Sequence, residues 1–332
     1  MAAKKKAKPT ASEGLFADRA GGNGVRPIKP SPRSKKTILV GISAWTEPTL
    51  IKRGNFYPKG VSSAEDRLRF YASQFPIAEV DSTYYFPPSE QNAALWAERT
   101  PPDFTFDVKA YSLLTNHPTK TDSLYKDLRE SLPEDVSGKR NVYREQLPHK
   151  VVDEVWQRFA DALMPLHSAG KLGVVLFQFP QWFVISRKNK DYLIQCKERL
   201  PDYRIAVEFR HKLWMEERNQ DETLSFLKEH DLPYVAVDMP QGFDSSLPPV
   251  AVATSKDLAV VRFHGRDPEA WKAKSQTAAD RFRYDYSDKE LQEWAPKVEE
   301  LAAEARETHV IMNNCYENYA VKNARQLAAL LE

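Results

Sequence analysis

Short apolar runs punctuate this chain, and most of the intervals between them repeat apolar residues every three or four positions. The first pattern predicts buried strands and the second amphipathic helices. Strands are expected at residues 37–42, 77–82, 104–109, 172–179, 204–211, 233–238, 258–265 and 309–314. Helices are expected at 63–75, 89–99, 150–167, 188–200, 223–230, 288–307 and 321–331, with only a weak helical signal after Asp238. Ser63 (or Ser62) and Ser89 stand where N-caps belong. Residues 113–149 follow no simple period; a polar, proline-punctuated connection of that length is usually functional or mobile. Eight alternating strand–helix units predict a parallel sheet closed into a single (β/α)8 TIM-type barrel. An open doubly wound sheet is the alternative, but Gly41-Ile42-Ser43-Ala44-Trp45 is not the glycine-rich phosphate fingerprint that such a sheet carries after its first strand.

Composition adds boundaries. Residues 1–36 are rich in Lys, Ala, Gly and Pro and poor in large apolar side chains, which predicts a disordered basic tail ahead of a barrel domain at 37–332. With 42% hydrophobic and 28% charged residues the rest is globular. A net charge of +2 creates no global field for a polyanion, so binding of nucleic acid would need a local patch. Lys4-Lys5-Lys6 and the 33–36 cluster offer one, although a solvated tail accounts for them more simply. Two distant cysteines, Cys196 and Cys315, predict neither a disulfide framework nor a zinc site and fit a reducing cytoplasm. No apolar run nears the roughly 18 residues of a membrane span.

The chemistry gathers at strand ends. In the stretch from Arg204 to His211, Glu208 and Arg210 are two residues apart on a strand and share a face. The same pattern recurs: Glu79, Lys109, Gln178, Asp238, Arg262, His264 and Asn313 all fall at C-terminal strand ends, where a barrel of this type places catalytic groups. Buried without partners, such groups would cost several kcal/mol each, so they must meet one another, water or a ligand. For Trp45, Tyr84, Tyr85, Trp182 and Trp214, which follow strand ends, pocket lining and ordinary packing are equally good readings. His117, in the polar connection, reads as solvated, and Trp96, Trp156 and Trp294 read as helix packing.

The sequence resembles the YecE-like family, domain of unknown function 72. The resemblance rests on Val40-Gly-Ile-Ser-Ala-Trp45, Phe56-Tyr-Pro58, Phe70-Tyr-Ala72, Ala78-Glu-Val-Asp-Ser-Thr-Tyr-Tyr85, Phe106-Asp-Val-Lys109, Leu176-Phe-Gln-Phe-Pro180, Val207-Glu-Phe-Arg210, Arg262-Phe-His-Gly265 and Met312-Asn-Asn314. It covers Ile38 to the C-terminus and implies a TIM-type barrel without supplying a reaction. Two features depart from the family pattern: Asp81, where an amide is more usual, and the longer, more polar 113–149 connection.

The expectation for function is an enzyme (a hydrolase, lyase or isomerase) with an acid–base pocket for a small anionic phosphate, carboxylate or sugar-derived substrate. Glu79, Glu208, Lys109 and His264 are the expected catalytic residues; Trp45, Tyr84, Gln178, Arg210, Asp238, Arg262 and Asn313 are expected to bind substrate. Arg and Lys clamp anions, and His titrates near neutrality. No cofactor and no membrane partner are expected. A nucleic-acid-binding or metal-dependent nucleic-acid-processing protein is the alternative. A metal set of Glu79, Glu208, Asp238 and His264 ranks lower, because three cations would crowd the ion. Lys109 is expected to stay charged, hydrogen-bonded to Glu79 or Glu208, rather than act as a Schiff-base nucleophile.

Overall fold

In the computed structural model, which describes residues 24–29, 36–273 and 278–332, each apolar run forms a strand of one parallel sheet. The strands are β1 (Thr37–Ser43), β2 (Ile77–Val80), β3 (Thr105–Lys109), β4 (Leu172–Gln178), β5 (Ile205–Glu208), β6 (Val235–Asp238), β7 (Leu258–Phe263) and β8 (Glu307–Met312). Hydrogen-bonded neighbours run β5-β4-β3-β2-β1-β8-β7-β6. The remaining seam, between β5 and β6, is drawn together by a parallel bridge of Val207 to Tyr234 and by the Val207 amide, which donates to the Pro233 carbonyl at 2.8 Å. The result is a nearly closed (β/α)8 barrel.

Among the described residues, seven helices of nine or more residues cover its outside: α1 (Ala64–Gln74), α2 (Glu90–Glu98), α3 (His149–Ser168), α4 (Arg187–Arg199), α5 (Glu217–Glu229), α6 (Asp288–Glu304) and α7 (Tyr319–Leu331). Ser63 and Ser287 open α1 and α6 with reciprocal capping boxes, so the sequence starts each helix where its first amides need an acceptor. The weak helical interval after β6 does not become a helix. Pro240, Pro248 and Pro249 lack the amide hydrogen a helix would use, Gly242 takes a φ of 92°, and the Gln241 side-chain amide instead holds the segment by donating to the Met239 and Leu247 carbonyls, both at 2.9 Å.

The 113–149 connection folds onto the C-terminal end of the barrel. It builds a two-stranded antiparallel ribbon from Thr119–Lys120 and Asn141–Val142, short helical turns, and a buried anchor of Leu113 and Leu114. Residues 24–29, within the stretch expected as a tail, rest on the opposite end: Ile28 bridges Ile38, and the Val25 amide donates to the Gln74 carbonyl. The basic clusters at Lys4–Lys6 and residues 33–35 lie outside the described residues. No described helix is long and apolar enough to cross a membrane.

Toward the N-terminal end, the barrel interior is ionic. His309 on β8 is fully buried between Asp107, 2.9 Å from Nδ1, and Glu307, 2.9 Å from Nε2. Arg204 reaches Glu307 at 2.9 Å. Gly173 is the extra residue of a bulge where β3 and β4 change register, and a Cβ there would lie 2.4 Å from Asp107 Oδ1 and 2.9 Å from His309 Cε1. Glycine is therefore what makes room for the pair. Two carboxylates face Arg204 and His309, so the group is neutral when the imidazole is protonated. Burial opposes that charge, but Asp107 and Glu307 outweigh it and lift His309 to about 9.

A pH dependence follows. The folded value lies above the ordinary 6.5, so the pair stabilises fully below pH 6.5 and loses its contribution as pH rises toward 9. Thermal melts between those limits should show a falling Tm, and His309→Gln should remove that slope. An unchanged slope in the variant would assign it elsewhere.

Candidate functional site

Strand alternation and register decide what meets at the other end. β1 pairs Ser43 with Glu79, β2 pairs Glu79 with Asp107, and β4 pairs Gln178 with Glu208. Side chains at paired positions share a face, so Ser43, Glu79, Gln178 and Glu208 all point into the barrel. Arg262 on β7 points in among them and is fully buried. Its guanidinium grips Glu79 with two bonds, Nε to Oε2 at 2.7 Å and Nη2 to Oε1 at 2.5 Å, while Nη1 donates to Glu208 Oε2 at 2.5 Å. Ser43 adds a hydroxyl donor to Glu79 at 2.9 Å.

Glu208 carries the network toward the mouth. Its Oε1 accepts from Arg210 at 2.6 Å and stands 3.2 Å from His264 Nε2. Arg210 also donates to Gln178 Oε1 at 3.1 Å, and its Nε is buried with no partner among the described residues. Asn313 Nδ2 meets His264 Nδ1 at 2.9 Å, while Nε2 stands between Glu208 Oε1 at 3.2 Å and Arg210 Nη2 at 3.1 Å. Burial and the neighbouring Arg210 lower His264 to about 3, so it is neutral. Burial pushes Glu208 up, but Arg210, Arg262 and His264 together hold it well below the usual carboxylate range. For Glu79, burial wins against Arg262 and the shift is upward.

Lys109 does not reach Glu79 or Glu208, contrary to expectation. Its ammonium is 3.0 Å from Asp81 Oδ1. The reason lies in the register: β2 pairs Glu79 with Asp107, so two residues further on Asp81 is level with Lys109, while Arg262 occupies both glutamates below. Against its own burial, Asp81 is held below the ordinary carboxylate range by Lys109. Asp81 is thus the partner of the mouth lysine.

Two chambers open above this floor and share Tyr85, Lys109 and Phe282 as their partition. The first, about 520 Å³, takes its charge from Lys109, Arg210 and Arg281, and no carboxylate lines it among the described residues. Gln178, Tyr84, His117 and Trp182 complete its polar and aromatic wall. The second, about 610 Å³, is bounded by Trp45, Leu68, Val80 and Trp96, with Glu47, Asp81, Arg99 and Asn313 among its polar groups.

Of the expected site residues, Lys109, Gln178, Arg210 and Tyr84 line the first chamber, and Trp45 and Asn313 the second. Glu79, Glu208, Arg262 and His264 lie beneath, on neither wall. Asp238 stands apart: its carboxylate is held by Arg266 at 2.7 Å, Tyr286 at 2.7 Å and Trp294. Among the described residues no group of three or more His, Cys, Asp or Glu stands close enough to hold a metal ion. Trp182 and Tyr85 line the mouth, whereas Trp214 is fully buried and stacked on Phe209 at 4.0 Å. His117, read from sequence as solvated, is buried in the first chamber's wall, and Trp271, Arg281 and Phe282 join it from a stretch that carried no periodic signal.

Arg262→Ala should be strongly destabilising, by about 3–5 kcal/mol, because Glu79 would be left buried without its ion pair and Glu208 would keep Arg210 alone. Arg262→Lys should recover only part of this, since one ammonium cannot fork across both glutamates. Urea unfolding measures both; a loss below about 1 kcal/mol for Arg262→Ala would contradict the arrangement.

Comparison with known proteins agrees with this architecture. The family model described as protein of unknown function DUF72 matches residues 39–332. The UPF0759 protein YunF of Bacillus subtilis is 30% identical over 298 residues, spanning 89% of this chain and 95% of its own. Among solved structures, a DUF72 family protein of Thermotoga maritima (TM1631) is 32% identical with a TM-score of 0.69, covering 89% of this chain and 98% of its own. One from Enterococcus faecalis (EF0366) is 26% identical with a TM-score of 0.70, covering 89% and 95%. With a match running from the first strand to the last residue, the chain belongs to the DUF72 family of proteins of unknown function.

Proposed function

We propose that the barrel mouth is the site of an enzyme that binds a small anion, a phosphate or carboxylate ester, and handles protons beside it. The observation that carries this reading is the first chamber's charge: three cations and, among the described residues, no carboxylate on the wall. Lys109 acts as a point charge and Arg210 as a planar fork, with Gln178 fixing the fork's orientation. The orphaned Arg210 Nε supports the same reading, because a buried donor without an acceptor costs about 1–3 kcal/mol. In this proposal Glu79 and Glu208 act from below: through Arg262 they fix the field that Arg210 and His264 sit in, rather than touching substrate.

A second reading has its own support. Tyr85 and Trp182, both 50% exposed, and Phe86, 61% exposed, stand on or next to the cationic mouth, a combination that suits stacked bases of a single strand. The two readings differ in salt response, since a strand contacting several phosphates loses affinity steeply with salt.

Titration calorimetry with phenyl phosphate tests the first reading. Arg210→Ala and Lys109→Ala should each weaken binding by about tenfold or more, with the melting curve checked for each variant. Undiminished binding in both would remove the proposal; strong binding of an oligonucleotide alone, collapsing with salt, would favour the second.

A further inference from the structure

His117 is held in a way that its sequence context does not announce. Its turn is clamped from three sides: Asn116 takes a left-handed φ of 59°, the Asn116 side chain accepts from Arg144 at 3.1 Å, and its carbonyl accepts from Trp182 Nε1 at 3.3 Å. The ring then packs edge-on against Tyr84, centroids 5.1 Å apart, and against Trp182 at 6.0 Å. The imidazole therefore has one orientation.

Its tautomer is fixed as well. Nδ1 lies 2.9 Å from the Thr115 hydroxyl, whose own hydrogen goes to the Ser112 carbonyl at 3.1 Å. With its hydrogen spent there, the hydroxyl is left to accept, so Nδ1 carries the proton and Nε2 keeps a lone pair. Nε2 has no hydrogen bond among the described residues, and the ring lines the first chamber. The charged and titratable groups around it are Lys109 from β3, Arg210 beyond β5 and Tyr84 beyond β2. Burial and the two cations lower His117 to about 3, in keeping with a neutral ring.

We propose that His117 Nε2 is the chamber's hydrogen-bond acceptor, so that the site selects anions that bring an O–H donor with them and rejects anions that only accept. Hydrogenphosphate is the simplest member of that class, and hydroxylated carboxylates or phosphates extend it. Lys109 and Arg210 satisfy the negative oxygens, while the ligand's hydroxyl hydrogen meets Nε2. This rests on the anion-pocket reading given above.

Sulfate and hydrogenphosphate isolate the feature, because at about pH 8 both are tetrahedral dianions and only phosphate carries a hydroxyl. Calorimetry on the full chain should find phosphate bound about 10- to 100-fold more tightly than sulfate, the cost of facing a buried acceptor with another acceptor. His117→Ala should bring the ratio close to one. His117→Gln, which can turn an N–H toward the ligand, should favour sulfate relative to the parent, a response that a packing role alone would not give. Thr115→Val should lower the ratio by releasing the tautomer. Equal binding of both anions by the parent, or an undiminished phosphate preference in His117→Ala with an intact melting curve, would overturn the inference alone. Binding of neither anion would overturn it together with the anion-pocket reading.

Discussion

The C-terminal half of this barrel depends on one guanidinium. Arg262 is fully buried and holds two buried glutamates at once, Glu79 through a fork and Glu208 through its remaining nitrogen. Taking a charge out of water costs several kcal/mol even after relaxation, so none of the three survives there without the others. The arrangement also has a direction. Glu208, anchored from below, spends its other oxygen on Arg210 and His264, the next layer toward the mouth. The cation that reaches the cavity is thus positioned by a residue that never does.

The two ends of the barrel solve the same electrostatic problem with opposite histidines. At the N-terminal end, among the described residues, Asp107 and Glu307 face one arginine, Arg204, and His309 supplies the second positive charge. At the C-terminal end, Glu79, Glu208 and Asp81 already face Arg262, Arg210 and Lys109, so a protonated His264 would be surplus, and Arg210 beside it keeps it neutral. Local charge count, more than burial, separates a histidine lifted to about 9 from one lowered to about 3, since both are fully buried.

Much of this was legible from sequence because period-two and period-3.6 patterns are local. Runs such as Leu172–Gln178 and Ile205–Glu208 declare themselves, and so do the polar residues that end them. Which strand-end groups face each other was not legible. The pairing of Lys109 with Asp81 depends on the register of β2 against β3, and Asp238 turns away to Arg266, Tyr286 and Trp294, residues that follow it by 28 or more positions. His117 was hidden for a similar reason: its neighbours Tyr84, Arg144 and Trp182 come from separate segments, and only the Asn116 turn hints at a constrained backbone. The missing helix after β6, in contrast, was written in its prolines.

In the proposed function, Arg210, positioned through Glu208 and Arg262, and Lys109, held by Asp81, form an anion site at the barrel mouth. A crystal structure of the protein soaked with tungstate, whose anomalous signal locates it without ambiguity, tests this most directly. Tungstate is expected in the first chamber, with oxygens within about 2.7–3.2 Å of Arg210 and Lys109 and with Arg262 still bound to both glutamates. Tungstate found only away from the mouth, or Arg262 released from Glu79 and Glu208 to meet it, would contradict the account.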